Sequence, residues 1–361
     1  MREIFRCVSV AALVVTFAVL MSAAPIAGQE QEQESANPLQ DWERAELQTL
    51  ARTVGDALQG RLAPTENPFE LQPSFFKQAD GLTYVPFTVT VDPAQISRAK
   101  VAMYLYVTAH QDPPAAPPAP ADPDTAEVPV PQMPTAVFEA AYFIDVSAER
   151  AGGGPIHLSR AFAAPGGDYD VYIAMRDSLG GPAPEDAEAA SVLMIREEVS
   201  VPNLWTPELQ TSSVLVAELV EPLTEPLTPD QQAEEPYTMG TTRIVPKHGR
   251  SFGKQDELSL LMLVYNAQST SDQKPDLTIE YSFHQRTDAG EEFFNKTNPQ
   301  QFNAQTLPPG FDVALGHQIF AGQSVPLSMF PAGDYRLEIT ISDNEAGTSV
   351  TRDVHFTVQE T

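Results

Sequence analysis

The sequence predicts an all-β chain: two immunoglobulin-like antiparallel β-sandwich domains preceded by one N-terminal amphipathic helix. Three observations carry that reading. Short runs with an apolar residue at every second position recur along the chain, the period of a strand with one wet face. The 361 residues include 33 prolines against 20 glycines, and so many prolines interrupt long helices. A Pro-x-Gly-Asp-Tyr pattern, followed by alternating apolar residues and an aspartate, occurs at residues 165–177 and again at residues 331–343. The two copies stand one domain length apart, at roughly 150 residues per domain.

The first element is an export signal. Arg2 and Arg6 precede an apolar run, Cys7–Met21, which leads to the small residues Ser22, Ala23, Ala24, Ala27 and Gly28. Residues 1–28 therefore read as a cleaved signal peptide, and residues 29–37, opening with alternating Gln and Glu, as a disordered linker. The alternative, an uncleaved anchor, needs roughly 20 apolar residues, more than this run supplies. Cys7 is the only cysteine. A mature chain without it has no disulfide, thiolate nucleophile or cysteine-ligated metal. The expected location is periplasmic or extracellular, with no transmembrane segment after signal cleavage.

A helix is expected over residues 38–60. Asn37, Pro38 and Gln40 offer an N-cap, a first-turn proline and a capping-box amide, and Leu47, Leu50, Ala51, Val54, Ala57 and Leu58 recur at helical spacing before Gly60. Its apolar stripe either packs on the first domain or docks a partner.

From Leu82 the period becomes two. Val85, Phe87, Val89 and Val91 alternate with Pro86, Thr88 and Thr90 in a half-buried strand, whereas Lys100–Thr108 is apolar on both faces and so fully buried. Residues 111–134 hold nine prolines and four acids and no base, the composition of a solvated insertion. Strands resume at Phe138–Val146, Ile156–Phe162, Tyr169–Arg176 and Ala190–Val199, giving a first domain over residues 68–202. The second, residues 212–358, starts at Ser213–Ala217 and carries an acidic loop at 221–236. Its further strands are Thr242–Pro246, Glu257–Asn266, Asp276–Gln285, Glu291–Asn295, a stretch around Ser324–Ser328, Tyr335–Ser342 and Ser349–Val358. Each copy of the repeat sets a tyrosine, Tyr169 or Tyr335, at the start of a late strand. A tyrosine corner bonds back to the preceding connection from that position, so both are read as structural.

The second domain resembles the β-sandwich module of secreted bacterial proteins of the GWxTD-domain type. The matching residues are Ser212–Ala217, the entry Ile244–Phe252, the strand Leu258–Asn266 ending in Tyr-Asn, and the turn Phe330–Tyr335. The Gly-Trp-x-Thr-Asp motif itself is absent, and neither Trp42 nor Trp205 lies in that context. The resemblance implies an envelope-associated immunoglobulin-like module and carries over no site residue.

Chemistry is sparse. With 21 basic and 49 acidic residues the net charge is −28, which excludes a nucleic-acid partner. His110, His157, His248, His284, His317 and His355 show no metal-binding spacing, and no Gly-x-Ser-x-Gly elbow occurs. Glu291-Glu292 follows a turn, where charge blunts a hairpin, and Asp343 with Asn344 and Glu345 is the best candidate for calcium, short of a dedicated site. No catalytic residue, metal or cofactor is assigned. Phe293, Phe294 and Phe302, interspersed with Asn295 and Asn298, could stack on and hydrogen-bond a sugar. The expected function is a non-enzymatic exported scaffold or interaction module binding an envelope protein. The alternative is a carbohydrate-binding module using Phe293–Asn303 and a glycan partner.

Overall fold

The structure, a computed structural model, describes residues 39–110, 134–182, 191–271, 273–313 and 317–360. The segments read as signal peptide and linker, Pro38, and all but Pro134 of the Pro-rich stretch lie outside these residues. The described residues are all-β, with mainly antiparallel sheets in two immunoglobulin-like sandwiches and one substantial helix.

Helix α1 spans Asp41–Leu58. Gln40 is its N-cap in place of the expected Asn37: the Glu43 carboxylate accepts from the Gln40 N–H at 2.7 Å, closing the capping box three residues further on. The first sandwich pairs β1 (Phe69–Pro73), β2 (Phe76–Lys77), β3 (Thr83–Val91) and β6 (Ile156–Ala164) in one sheet. The facing sheet runs in the order β5 (Ala136–Asp145), β4 (Lys100–Ala109), β7 (Gly167–Ser178), β8 (Leu193–Val201). Val85, Phe87, Val89, Met103, Leu105, Ile173 and Ile195 fill the space between them. The outer face of the second sheet, with Ala102, Tyr104, Tyr106, Tyr172 and Ala174, is covered by Leu50 and Val54 of α1. That cover is why Lys100–Thr108 is apolar on both faces. A short unexpected helix, α2 (Ser147–Ala151), precedes β6.

The second sandwich has one sheet of β11 (Thr242–Pro246), β10 (Leu215–Pro222), β13 (Glu257–Tyr265) and β17 (Ile319–Pro326), with β9 (Gln210–Thr211) also on β13. The other runs β12 (Ser251–Gly253), β19 (Thr348–Gln359), β18 (Gly333–Asp343), β14 (Leu277–Thr287), β15 (Gly290–Lys296), with β16 (Gln300–Phe302) also on β14. Two expectations change. The loop at 221–236 contains helix α3 (Pro229–Glu234), started by a Thr228/Gln231 capping box. The strand expected around Ser324–Ser328 is β17, and it ends at Pro326 because Leu327–Phe330 turn away, the Leu327 N–H donating to the Asp256 carbonyl.

Strand β3 departs from its reading in a consequential way. Its alternate phase, Pro86, Thr88 and Thr90, does not form a wet face: Pro86 is buried and Thr88 is 2% exposed. The outer face of the β3 sheet packs on the outer face of the β13 sheet. Phe76 and Tyr84 meet Leu215, Ala217, Tyr237, Ile244, Leu261, Leu263 and Tyr265 in one apolar cluster. Polar atoms there find partners across the junction. Thr88 Oγ1 lies 3.2 Å from Tyr237 Oη, the Phe75 N–H donates to Ser213 Oγ at 2.9 Å, and Lys77 Nζ donates to Asn266 Oδ1 at 2.7 Å. Trp205, in the connector, donates its indole N–H to the Gln78 and Leu82 carbonyls beneath the Lys77 ammonium, 4.2 Å from the ring centre. The connector is thus pinned to the first sandwich.

Candidate functional site

With α1 on one outer face and each sandwich covering the other, the outer face of the β12–β15 sheet remains open among the described residues. Its residues follow from the alternation in β14. Leu277, Ile279, Tyr281 and Phe283 point into the core, which sends Thr278, Glu280, Ser282 and His284 outward. Cross-strand register then builds a row of Phe293, His284, Arg336 and His355, and beside it Glu291, Arg286, Asp334 and Thr357.

Arg336 is the electrostatic centre of this face. Its Nε and Nη2 donate to Glu291 at 3.0 and 2.6 Å, and its Nη1 to Glu338 at 2.8 Å and Asp353 at 2.6 Å. The Glu291 bond, then those to Glu338 and Asp353, hold the guanidinium protonated far above its ordinary range. In return Arg336 holds the Glu291 carboxyl below the usual carboxylate range. Arg336 and Arg286 stand among Glu291, Glu338, Asp353 and Asp334, which leaves the patch anionic. Phe293 stands at its border, 61% exposed, meeting the His284 ring edge-on at 5.9 Å. His284 Nε2 is shielded and unbonded among the described residues.

The aromatic and amide group read from the sequence is divided. Strand β15 bulges between the partners of Phe283 and His284, so Asn295 opposes Phe283 and Phe293 opposes His284. Phe294, between them, turns inward onto Phe330 at 4.9 Å and Tyr335 at 5.5 Å. Phe302 also packs against the core. Asn295 and Asn298 are exposed at the strand end, and Asn295 Oδ1 accepts from the Lys296 N–H at 2.8 Å. Phe293 alone of the three rings faces outward. The two repeat tyrosines point to the protein: Tyr169 Oη donates to the Pro165 carbonyl at 2.9 Å, and Tyr335 Oη to the Pro331 carbonyl at 2.8 Å. Asp343 is occupied as well, since its carboxylate accepts from the N–H groups of Gln268, Glu345 and Ala346 at 2.7, 3.1 and 3.0 Å. Those bonds spend the oxygens a calcium ion would need.

One cluster escaped sequence reading. His110 Nδ1 lies 3.1 Å from Asp170 Oδ1 and 4.0 Å from Glu198 Oε1. The three come from separate segments with no local spacing; only the pairing of Asp170 with both Thr108 and Glu198 aligns them. Their ligand atoms are close enough for a divalent cation. Asp170, however, already takes Arg196 Nε at 3.0 Å on Oδ1 and Nη2 at 3.1 Å on Oδ2. A cation there would have to displace a bidentate guanidinium, so the group fits a self-neutralised network better than a metal centre. The bond to Asp170 raises the His110 pKa. A groove beside the Pro93–Gln95 turn is similarly committed, since its Asp177 carboxylate accepts from the Ser97 and Arg98 N–H groups at 2.9 and 3.3 Å. No helix among the described residues is long and apolar enough to cross a membrane.

No family model and no curated protein matches the chain. Among solved structures it is similar to trypsin-activated alpha-2-macroglobulin from Escherichia coli, at 10% identity over 83% of this chain and 17% of that one, TM-score 0.22. It is similar also to Salmonella alpha-2-macroglobulin reacted with methylamine, at 13% identity over 82% of this chain and 17% of that one, TM-score 0.19. The chain spans less than a fifth of the length of either protein.

Proposed function

We propose that this chain is a non-enzymatic exported interaction module of the bacterial envelope, periplasmic or extracellular, whose contact surface is the open face and β15 edge of the second sandwich. The uncovered row of Phe293, His284, Arg336 and His355 supports this reading. Among the described residues, the other outer sheet faces carry an apolar cluster covered by a helix or by the other sandwich. A free edge strand pairs with an extended segment through its main chain, and an exposed ring beside it supplies an anchor. The expected partner is a protein with basic residues to meet the carboxylates around Arg336. The leader supports export, and the resemblance to GWxTD-type modules supports the envelope setting.

The test is capture from an envelope extract with the wild-type chain and with Phe293→Ala. Recovery of one protein by the wild type, reduced at least about tenfold by the substitution, is the expected result for loss of an anchor of about 1.4 kcal/mol or more. Nothing above background with the wild type would overturn it. The carbohydrate reading retains one supporting observation, the exposed Phe293 ring next to exposed Asn295. A glycan array giving a signal that Phe293→Ala abolishes would favour that reading over the protein partner.

A further inference from the structure

We propose that the stacked imidazoles of His157 and His248 make the junction between the two sandwiches an acid-sensitive latch, closed while both rings are neutral and released when they take up protons. His157 projects from the outer face of β6, and His248 sits in the turn between β11 and β12. Their ring centres are 3.6 Å apart with planes 10° from parallel, closer than most aromatic pairs, so no water fits between them. Thr90 on β3 fixes the first ring, its Oγ1 3.1 Å from His157 Nδ1.

The surrounding charges decide where protons go. Glu218 on β10 is the carboxylate whose field reaches His157. Lys247 and Arg250 flank His248 within its own turn, with the Lys247 ammonium held 4.9 Å over Phe252. On the first sandwich Arg160 lies 5.0 Å over Tyr142, and Glu234 of α3 directs its field at Arg160. A first proton is therefore taken by His157 opposite Glu218, and a second on His248 meets both burial and the first charge. Burial lowers both pKa values, that of His248 to about 4, with His157 as its second cause.

The sign follows from linkage. An imidazole freed by undocking returns toward its ordinary value of 6.5, so the open form binds more protons than the closed one. Docking is at full strength above that value and weakens as pH falls toward about 4. The rest of the chain pushes the other way, because protonating carboxylates relieves the self-repulsion of a net charge of −28. Opening within this window is accordingly a signature of the histidines. It uncovers Phe76, Leu215, Leu261, Leu263 and Tyr265 while leaving both sandwich cores intact.

Small-angle scattering and hydrophobic-dye fluorescence on the full chain, from about pH 7.5 to about 4.5, test this window. The expected result is a larger radius of gyration and a several-fold rise in dye signal, with core amides still protected from exchange, and no such change in a His157→Phe/His248→Phe variant. A wild type that stays compact throughout, or a variant that opens at the same pH, would overturn the proposal. Imidazole NMR of the wild type is decisive even if the variant does not fold: both rings titrating near 6.5 in the docked state would refute it, and depressed values would sustain it.

Discussion

At the scale of single residues, three side chains of the second sandwich act by different means. Tyr335 is fully buried and its hydroxyl reaches the Pro331 carbonyl at 2.8 Å. Tyr335→Phe keeps the ring and orphans that carbonyl, which costs about 1 kcal/mol and lowers the urea midpoint by the corresponding amount. Arg336 balances three carboxylates. In Arg336→Met the Glu291 pKa is expected to climb back toward the ordinary carboxylate range, read by carbon-detected NMR of the carboxyl groups. Because the wild-type value is depressed, the stabilisation is present above the unfolded carboxylate range and fades as pH falls through the folded value. The stability difference between wild type and variant is therefore largest near neutrality and shrinks in acid. The third is Phe294, whose burial rests on a bulge: Phe294→Ala is expected to cost about 2 to 3 kcal/mol, against under about 0.5 kcal/mol for exposed Phe293→Ala.

At the scale of elements, helix α1 is held by its apolar stripe and by Trp42, whose ring meets Phe143 edge-on at 5.3 Å. Leu50 and Val54 are buried against Tyr104, Tyr106 and Tyr172, while the other flank of the helix is wet. Leu50→Ala is expected to cost about 2 to 4 kcal/mol and to free the helix before the sandwich melts, seen as faster amide exchange over residues 41–58 than in β4. The stripe was legible because a 3.6-residue period needs no partner to be seen. The bulge in β15 was not: one extra residue between Phe283 and His284 partners reverses which phenylalanine is outside, and no pattern within the strand announces it. The same limit applies to His110, Asp170 and Glu198, which meet only through the pairing of β4, β7 and β8.

At the scale of the whole molecule, the junction decides which surfaces remain for partners. Gly166, in the first copy of the repeat, touches the connector so closely that an added Cβ would lie 2.6 Å from Asn203 Cβ and 2.8 Å from its backbone. Gly166→Ala is expected to push the connector outward and loosen the docking, while leaving the core of the first sandwich intact. Phe76→Ala attacks the same junction from within and is expected to cost about 2 to 4 kcal/mol. Limited proteolysis across residues 201–210 checks both: cleavage should be faster than in wild type, and an unchanged rate would show that the connector is held independently of that packing.

The sequence by itself determined the strand-rich class, the N-terminal helix, the two tyrosine turns and most strand positions, because alternation, capping residues and turn chemistry act over a few neighbours; the short helices α2 and α3 escaped it. It also read Lys100–Thr108 as buried on both faces, since both phases there are apolar. Only tertiary structure decided that Thr88 and Thr90 lie beneath a second sandwich, that Phe293 alone of three rings looks outward, and that His157 meets His248. A threonine on a polar phase looks the same whether water or a hydroxyl from a distant strand satisfies it, so local pattern carries no record of which surface closes over it.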